Sequence, residues 1–273
     1  MLMSELFNRY EREIVPRMAP RTQKDYKWIL AQLHKHVGDR HAEDIKPKDI
    51  GKLLDVETGK ISRNRQVAVL SAVFTKAVGR WYVVERNPCL GVERNETRRR
   101  DRYIADDEFK AFYSVVPPRI QIAMDLALLT GQRQGDIIGL PWSNVLEDGI
   151  FFQQGKTGKK LLVGYSEKLK DILLRARRLG VDWTKDFKRH YVLRRRDGER
   201  YTSEGFRAIW QRYMNRAMRI GAVKERFTFH DIRAKSVSDT SNIQEAFERA
   251  GHTSMAMTRG VYDRGTRKVT PLR

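Results

Sequence analysis

Residues 227–236 read F-T-F-H-D-I-R-A-K-S, and residues 249–262 read R-A-G-H-T-S-M-A-M-T-R-G-V-Y. The first stretch predicts a helix that places His230 and Arg233 on one face, because residues three apart on a helix are neighbours. In the second stretch Gly251 suits a helix C-terminus, and the next predicted helix carries a tyrosine. Two imidazoles, a guanidinium and a phenol form a set that can break a phosphodiester bond without a metal ion.

The chain carries a large excess of positive charge. It has 54 Lys and Arg against 34 Asp and Glu, a formal net charge of +20 over 273 residues. Such a charge attracts polyanions, and nucleic acid is the commonest of these for a soluble protein. A basic surface that is simply solvated is the alternative interpretation. We predict a nucleic-acid partner.

Cysteine content and hydropathy bear on the compartment. Cys89 is the only cysteine, so an intramolecular disulfide is excluded and a reducing compartment is favoured. The N-terminus lacks the pattern of a signal peptide, and no window approaches the roughly 20 apolar residues that span a bilayer. We therefore expect a cytoplasmic protein without a membrane partner.

Residues 1–92 are predicted to form an all-helical domain. Apolar residues recur at helical spacing in four segments, with Thr22 as the N-cap of the second segment and Ser62 at the start of the fourth. Basic residues on the exposed faces are candidates for DNA contacts, although a solvated surface charge is the default for each one. These candidates are Arg21, Lys24, Lys27, Arg63 and Arg65.

Residues 93–102, E-R-N-E-T-R-R-R-D-R, contain no apolar residue. This composition predicts an extended, basic linker, in which Arg98, Arg99 and Arg100 are suited to follow a phosphate backbone. Residues 103–273 then form the second domain.

The second domain is predicted to be helical around one β-hairpin. Between Val145 and Tyr165 the apolar period changes, and two short apolar segments flank the turn G-K-T-G-K-K (155–160). The hairpin stands alone or belongs to a three-stranded sheet. The predicted fold class is mainly α with a small antiparallel β-sheet, built from an all-helical N-terminal domain and a mixed α+β C-terminal domain.

Two other kinds of chemistry lack their usual sequence signals. Carboxylates do not cluster at metal-ligand spacing, and the G-K-T-G-K turn lacks the earlier glycine of a G-x-x-x-x-G-K-[ST] phosphate loop. We therefore expect no metal, no ATP and no other cofactor.

Several motifs resemble those of the tyrosine recombinases, specifically the bacteriophage-type integrases. They occur in the family's order, and N-R-Q-V-A-V-L-S-A-V-F (64–74) is similar to the family's helical DNA-clamping domain. The resemblance covers nearly the whole chain and implies a core-type DNA-binding domain followed by a tyrosine-recombinase catalytic domain. The catalytic-domain motifs are T-G-Q-R-Q-G-D-I-I-G-L (130–140), Q-G-K-T-G-K (154–159), H-D-I-R (230–233), A-G-H-T-S (250–254) and V-Y-D-R (261–264).

The resemblance implies roles for the groups that move protons and form the covalent bond. Tyr262 matches the nucleophile, which forms a 3′-phosphotyrosyl link and releases a 5′-hydroxyl. His230 matches the residue that handles the tyrosine proton. Lys156 matches the general acid for the leaving 5′-oxygen, with Lys159 and Lys160 as alternatives. Lys159 is also a candidate DNA contact.

The other matching residues surround the phosphate. Arg133 and Arg233 match the pair that binds the non-bridging oxygens, a task suited to the forked donors of guanidinium. His252 matches a phosphate hydrogen-bond donor. Asp136 matches an acidic position that supports the site.

The resemblance also implies how the protein works on DNA. Double-stranded DNA with core-type sites is the expected partner. Monomers in solution assemble on it into a homotetramer, exchange strands through a Holliday junction, and need neither metal nor ATP because the covalent link conserves the bond energy. Accessory DNA-bending or directionality factors are further partners of such enzymes, and a bacterial host implies association with the nucleoid.

The ends of the chain carry two more expectations. The match begins almost at Met1, which implies either a protein that uses core sites alone or a truncated chain that lacks an arm-binding domain. Eleven residues follow Tyr262, and their few apolar side chains disfavour docking on a neighbouring subunit.

Two alternatives differ in what they do with DNA. A type IB-like topoisomerase would nick and reseal one duplex as a monomer with little sequence preference. A non-catalytic DNA-binding protein would use its basic residues only to coat phosphate. The second alternative gives no reason for Tyr262 to accompany His230 and His252.

Overall fold

The structure, a computed structural model, describes residues 1–56, 58–98, 100–179, 191–195, 197–251, 253–262 and 264, with the backbone alone for 257, 261 and 262. The chain divides into two compact units. The N-terminal unit is Met1–Arg98 and the C-terminal unit is Arg99–Arg273. Among the residues described, no helix combines the length and apolar character needed to cross a membrane.

The described part of the N-terminal unit is built from four α-helices, and the first two connections between them contain short 3₁₀ turns. Leu6, Leu30, Leu33, Leu70 and Phe74 are almost completely buried between them, as the helical spacing of apolar residues predicts. The helices are α1 (Met3–Glu13), α2 (Pro20–Val37), α3 (Pro47–Leu54) and α4 (Lys60–Gly79).

Two predicted helix starts in this unit are wrong, by three residues for α2 and by two for α4. Helix α2 begins at Pro20 rather than after a Thr22 N-cap, because the fixed φ of proline suits the first helical position. Helix α4 begins at Lys60 rather than at Ser62. Neither helix has a side-chain cap. Both starts are exposed, so water can satisfy their N–H groups.

The predicted linker, residues 93–102, includes residues held by each unit. Asn95 Nδ2 donates to the Leu54 carbonyl at 2.9 Å, and Asn64 Nδ2 donates to the Asn95 carbonyl at 2.7 Å, so this part belongs to the N-terminal unit. Arg100 and Arg102 instead bind partners within the C-terminal unit. The domain limits at 92 and 103 stay a prediction.

The C-terminal unit contains most of the helices and the sheet. Strand β1 (Gly149–Gln153) pairs antiparallel with β2 (Lys160–Gly164), and Phe152 lies opposite Leu161. Among the described residues the sheet has two strands and no third. The predicted fold class, mainly α with a small antiparallel sheet, is confirmed. The helices are α5 (Asp106–Val115), α6 (Pro118–Thr130), α7 (Gln134–Ile138), α8 (Glu167–Arg178), α9 (Ser203–Arg219), α10 (Phe229–Ser238), α11 (Ile243–Ala250) and α12 (Met255–Met257), which continues as a π-helical turn (Thr258–Tyr262).

An aromatic cluster fixes the start of α10. Phe229 lies 5.0 Å from the Phe206 ring and 5.3 Å from the Trp210 ring, while Phe227 lies 5.1 Å from Phe112. Edge-to-face contacts of this kind add about 0.5 to 1.5 kcal/mol each beyond their burial. The aromatic residues of α9 are thus core residues, and they set the position of the helix turn that carries His230.

We predict that Gly251→Ala destabilises the protein more than Gly221→Ala. Both glycines have left-handed backbones, with φ of 63° and 72°, which cost about 1 to 2 kcal/mol for alanine. A Cβ on Gly251 would also lie 2.5 Å from Gln154 Nε2 and 2.7 Å from Leu161 Cδ1, whereas one on Gly221 meets nothing within 4 Å. Overpacking adds about 1 to 3 kcal/mol. Urea unfolding measures both variants, and equal losses would contradict the expectation.

Candidate active site

The first turn of α10 presents two of the predicted site residues. Thr228 and Asp231 form a capping box, in which the Thr228 amide donates to Asp231 Oδ2 at 2.7 Å. This local pairing starts the helix just before His230. Arg233, one turn later, is only 1% exposed, whereas His230 reaches solvent.

Arg233 joins the ends of two other helices. Its Nη1 donates to the Gly131 carbonyl and its Nη2 donates to the Ala250 carbonyl at 2.8 Å. These carbonyls lie at the C-termini of α6 and α11, where the helix dipole favours a cation. The buried guanidinium therefore holds together the segments that lead to Arg133 and to residue 252.

Two buried glutamines complete this frame. Gln132 and Gln154 are both fully buried. Gln154 Nε2 donates to Gln132 Oε1 at 2.8 Å and to the Ala250 carbonyl at 2.9 Å, and Gln132 Nε2 donates to the Arg249 carbonyl at 2.7 Å. The amides thus connect the loop after α6, the hairpin and the end of α11.

Gln154 also orients Arg133. Arg133 is the N-cap residue of α7, and its Nη1 donates to Gln154 Oε1 at 2.6 Å. Thr157 Oγ1 donates to the same oxygen at 2.9 Å. One side-chain amide therefore contacts both the first predicted arginine and the hairpin turn.

Asp136 holds the turn that carries Lys156. Asp136 Oδ1 accepts a hydrogen bond from the Gly155 amide at 3.0 Å, which ties α7 to the residue before Lys156. Lys156 is exposed. Lys159 instead packs its ammonium 5.3 Å from the centre of the Phe247 ring, and Lys160 begins strand β2.

The surroundings of His230 favour the neutral imidazole. Desolvation by the protein, followed by the charge of Arg233, lowers the pKa of His230 to about 4. Arg264 and Arg133 act in the same direction, while Asp231 opposes them. The imidazole is therefore neutral at physiological pH and able to accept a proton.

The structure brings together Arg133, His230 and Arg233, and it places the Lys156 turn beside α7. His252 lies outside the described residues. The backbone of Tyr262 ends the π-helical turn, which contacts α10, but the side chain is not described. Within the described ranges, His, Cys, Asp and Glu side chains form no group of three or more that could hold a metal ion.

The candidate DNA-binding residues of the N-terminal unit lie on the surface of α2 and α4 or follow them. Asp25 contacts Arg21 at 3.6 Å and Arg65 at 3.3 Å, and Lys27 lies 3.5 Å from Glu11. Other members of the set are Lys24 and Arg98, which are exposed, and Arg63, which donates to Gln66. Arg99 lies outside the described residues.

Arg100, a predicted DNA contact in the C-terminal unit, also contacts another residue of the protein. The Arg100 guanidinium contacts Asp231 at 2.9 Å, although its side chain is 47% exposed.

The sequence motifs do not single out four further residues of the site, which are Gln132, Gln154, Asp231 and Arg264. For Gln154 a signal existed, because strand periodicity places it on the same face as Ile150 and Phe152. A glutamine on a buried face requires hydrogen-bond partners. The contacts of Asp231 with arginines far away in the chain leave no comparable signal.

Parts of the chain are similar in sequence to known proteins. The model of the phage integrase family matches residues 102–268. The integrase of Escherichia phage HK022 is 29% identical over 163 residues, which cover 57% of this chain and 45% of that protein. The matched region is thus less than half the length of that relative.

Solved structures share the fold. A lambda integrase fragment, residues 75–356, as a dimer bound to a COC′ core site, gives a TM-score of 0.82 at 22% identity, and the match covers 100% of this chain and 99% of that fragment. A lambda integrase tetramer bound to a Holliday junction gives 0.78 at 23% identity and covers 93% of this chain and 78% of that chain.

We predict that Gln154→Leu destabilises the protein while Gln153→Leu does not. Leucine at 154 removes the partners of Arg133, Gln132 and the Ala250 carbonyl, and an unsatisfied buried polar group costs about 1 to 3 kcal/mol. Gln153 is an exposed neighbour, where a substitution changes stability by about 0.5 kcal/mol or less. Thermal and urea unfolding compare the two. Equal stability of the variants would contradict the role of the buried amide.

We predict that His230 makes the protein less stable in mild acid. Its pKa is about 4 when folded and about 6.5 when unfolded. Between these values the unfolded state binds more protons, so the free energy of unfolding falls as the pH is lowered through this window. His230→Gln should remove this part of the pH dependence of the free energy of unfolding. Urea unfolding at pH 7 and pH 5 tests it, and an unchanged pH dependence in the variant would refute it.

Proposed function

Because this chain belongs to the phage integrase family, we propose that it is a site-specific DNA recombinase that cleaves and rejoins DNA through a 3′-phosphotyrosyl intermediate. The observation that carries the proposal is the frame in which Arg133, Arg233 and neutral His230 converge. Guanidinium groups suit the oxygens of a phosphodiester, and a neutral imidazole suits a proton acceptor.

In the cleavage step the Tyr262 oxygen attacks the scissile phosphorus. A phenol has a pKa of about 10 and is mostly protonated at neutral pH, so His230 takes the proton as the oxygen–phosphorus bond forms. Arg133 and Arg233 bind the non-bridging oxygens, and His252 donates a further hydrogen bond. The added negative charge is stabilised where preorganised donors already lie.

Lys156 completes the step by protonating the leaving 5′-oxygen. Its turn is held by the bond from Gly155 to Asp136, and an exposed lysine on such a turn can reach a bound phosphate. Lys159 is less suited, because its ammonium lies over the Phe247 ring. The reverse attack by a 5′-hydroxyl on the phosphotyrosine rejoins DNA and needs no ATP.

The proposed partner is double-stranded DNA carrying core-type sites. The net charge of +20 supports binding to a polyanion, with residues 1–92 as the helical clamp. Monomers would assemble on DNA into a tetramer that exchanges strands through a Holliday junction. The lambda integrase tetramer of the same fold is bound to such a junction.

A nicked suicide duplex tests the covalent step. We expect the protein to form an adduct that survives denaturant, also in EDTA, and Tyr262→Phe to abolish it, because phenylalanine has no nucleophilic oxygen. Tyr82→Phe is the matched control, since Tyr82 is 86% exposed in the N-terminal unit. An adduct with Tyr262→Phe would assign the nucleophile to another residue.

A sulfur-substituted substrate tests the general acid. Lys156→Ala should slow cleavage by about 10²- to 10⁴-fold, the usual contribution of general acid–base catalysis, with DNA affinity nearly unchanged. A 5′-thio leaving group needs no proton and should restore the rate. Lys160→Ala is the control, and rescue of that variant alone would move the acid role to Lys160.

A further inference from the structure

The carboxylate of Asp231 has far more partners than a helix cap needs. It is 1% exposed and accepts bonds from the Thr228 amide at 2.7 Å, from Arg100 Nε at 3.0 Å and from Arg264 Nη1 at 2.7 Å. Burial alone would raise the pKa of Asp231, but the bonds from Arg100, Thr228 and Arg264 outweigh burial and lower it. Asp231 is therefore a buried anion between two arginines from distant parts of the chain.

Arg264 is bonded to both ends of α10. Its side chain, 5% exposed, contacts Asp231 in the first turn, and its backbone amide donates to Ser238 Oγ at 2.7 Å at the last residue of the helix. Arg264 Nη1 also donates to the Arg102 carbonyl at 3.1 Å. Arg264 is the second residue after Tyr262, so their Cα atoms lie within about 7.6 Å of each other.

From these contacts we infer that Asp231 is a positioning residue for the nucleophile, which it holds on α10 through Arg264. The inference rests on the proposed function. Asp231 follows His230 directly and lies two residues before Arg233, so one buried carboxylate links the tyrosine segment to the helix that carries the proton acceptor and a phosphate ligand. A pure capping role would require only Thr228.

Arg100 provides the matched control for this assignment. It uses the same carboxylate as Arg264, but it lies 162 residues before Tyr262 in sequence. Arg100→Gln therefore removes a cation from Asp231 without cutting the tether to the tyrosine. Arg264→Gln also removes a cation from this carboxylate, and in addition it breaks the connection to the tyrosine segment.

Single-turnover cleavage of the suicide duplex at saturating DNA tests the inference. Arg264→Gln should lower the rate about 10- to 100-fold, as a misplacement near 1 Å does, while the Kd for DNA changes little because this guanidinium faces protein. Arg264→Lys should cleave faster than Arg264→Gln, and Arg100→Gln should reduce the cleavage rate less than Arg264→Gln does. Hydrogen exchange at the amides of residues 258–262 should rise in Arg264→Gln only.

A double-mutant cycle with Asp231→Asn separates positioning from general stability. If Asp231 acts through Arg264, adding Arg264→Gln to Asp231→Asn lowers the cleavage rate little further. The inference would be overturned if the rate reductions of the two single variants multiplied in the double variant. A wild-type cleavage rate in Arg264→Gln would also overturn it. Both outcomes differ from failure of the proposed function, in which the wild-type protein forms no covalent adduct at all.

Discussion

The C-terminal unit depends above all on the buried guanidinium of Arg233. A buried charge is costly unless it is hydrogen-bonded, and here it bonds carbonyls at the ends of α6 and α11. Gly131 and Gly251 cap the C-termini of those two helices, and Arg133 follows Gly131 by two residues. The side chain proposed as a phosphate ligand is therefore also one that holds these helix ends together.

Neutral oxygens hold Arg133 and Arg233. Arg133 bonds the amide oxygen of Gln154, and Arg233 bonds main-chain carbonyls. Such partners fix the direction of a guanidinium without cancelling its charge, so that charge remains for an anionic substrate. The nearby carboxylates have other partners. Asp136 Oδ1 accepts a hydrogen bond from the Gly155 amide, and Asp231 binds Arg100 and Arg264. Desolvation, followed by the charge of Arg233, lowers the pKa of His230, and the resulting neutral imidazole suits its proposed role as a proton acceptor.

The basic surface of the N-terminal unit follows a different principle. Arg21 and Arg65 share Asp25, and Lys27 lies near Glu11. Exposed ion pairs of this kind contribute about 0 to 1 kcal/mol, so their cations can exchange a carboxylate for a phosphate at little cost. The charges of the candidate site are fixed by buried partners, whereas these surface cations of the helical unit can change partners.

The sequence by itself determined the fold class, because helical and strand periodicity are local, and its contiguous motifs predicted the residue set of the candidate site. It also indicated the hairpin, through the glycines of its turn. Only the tertiary structure revealed what orients those residues: Gln132 and Gln154 between three segments, Arg233 across two helix ends, and Asp231 between Arg100 and Arg264. These contacts join residues up to 131 positions apart. Pairing at such separation depends on how the helices pack, which no local pattern encodes.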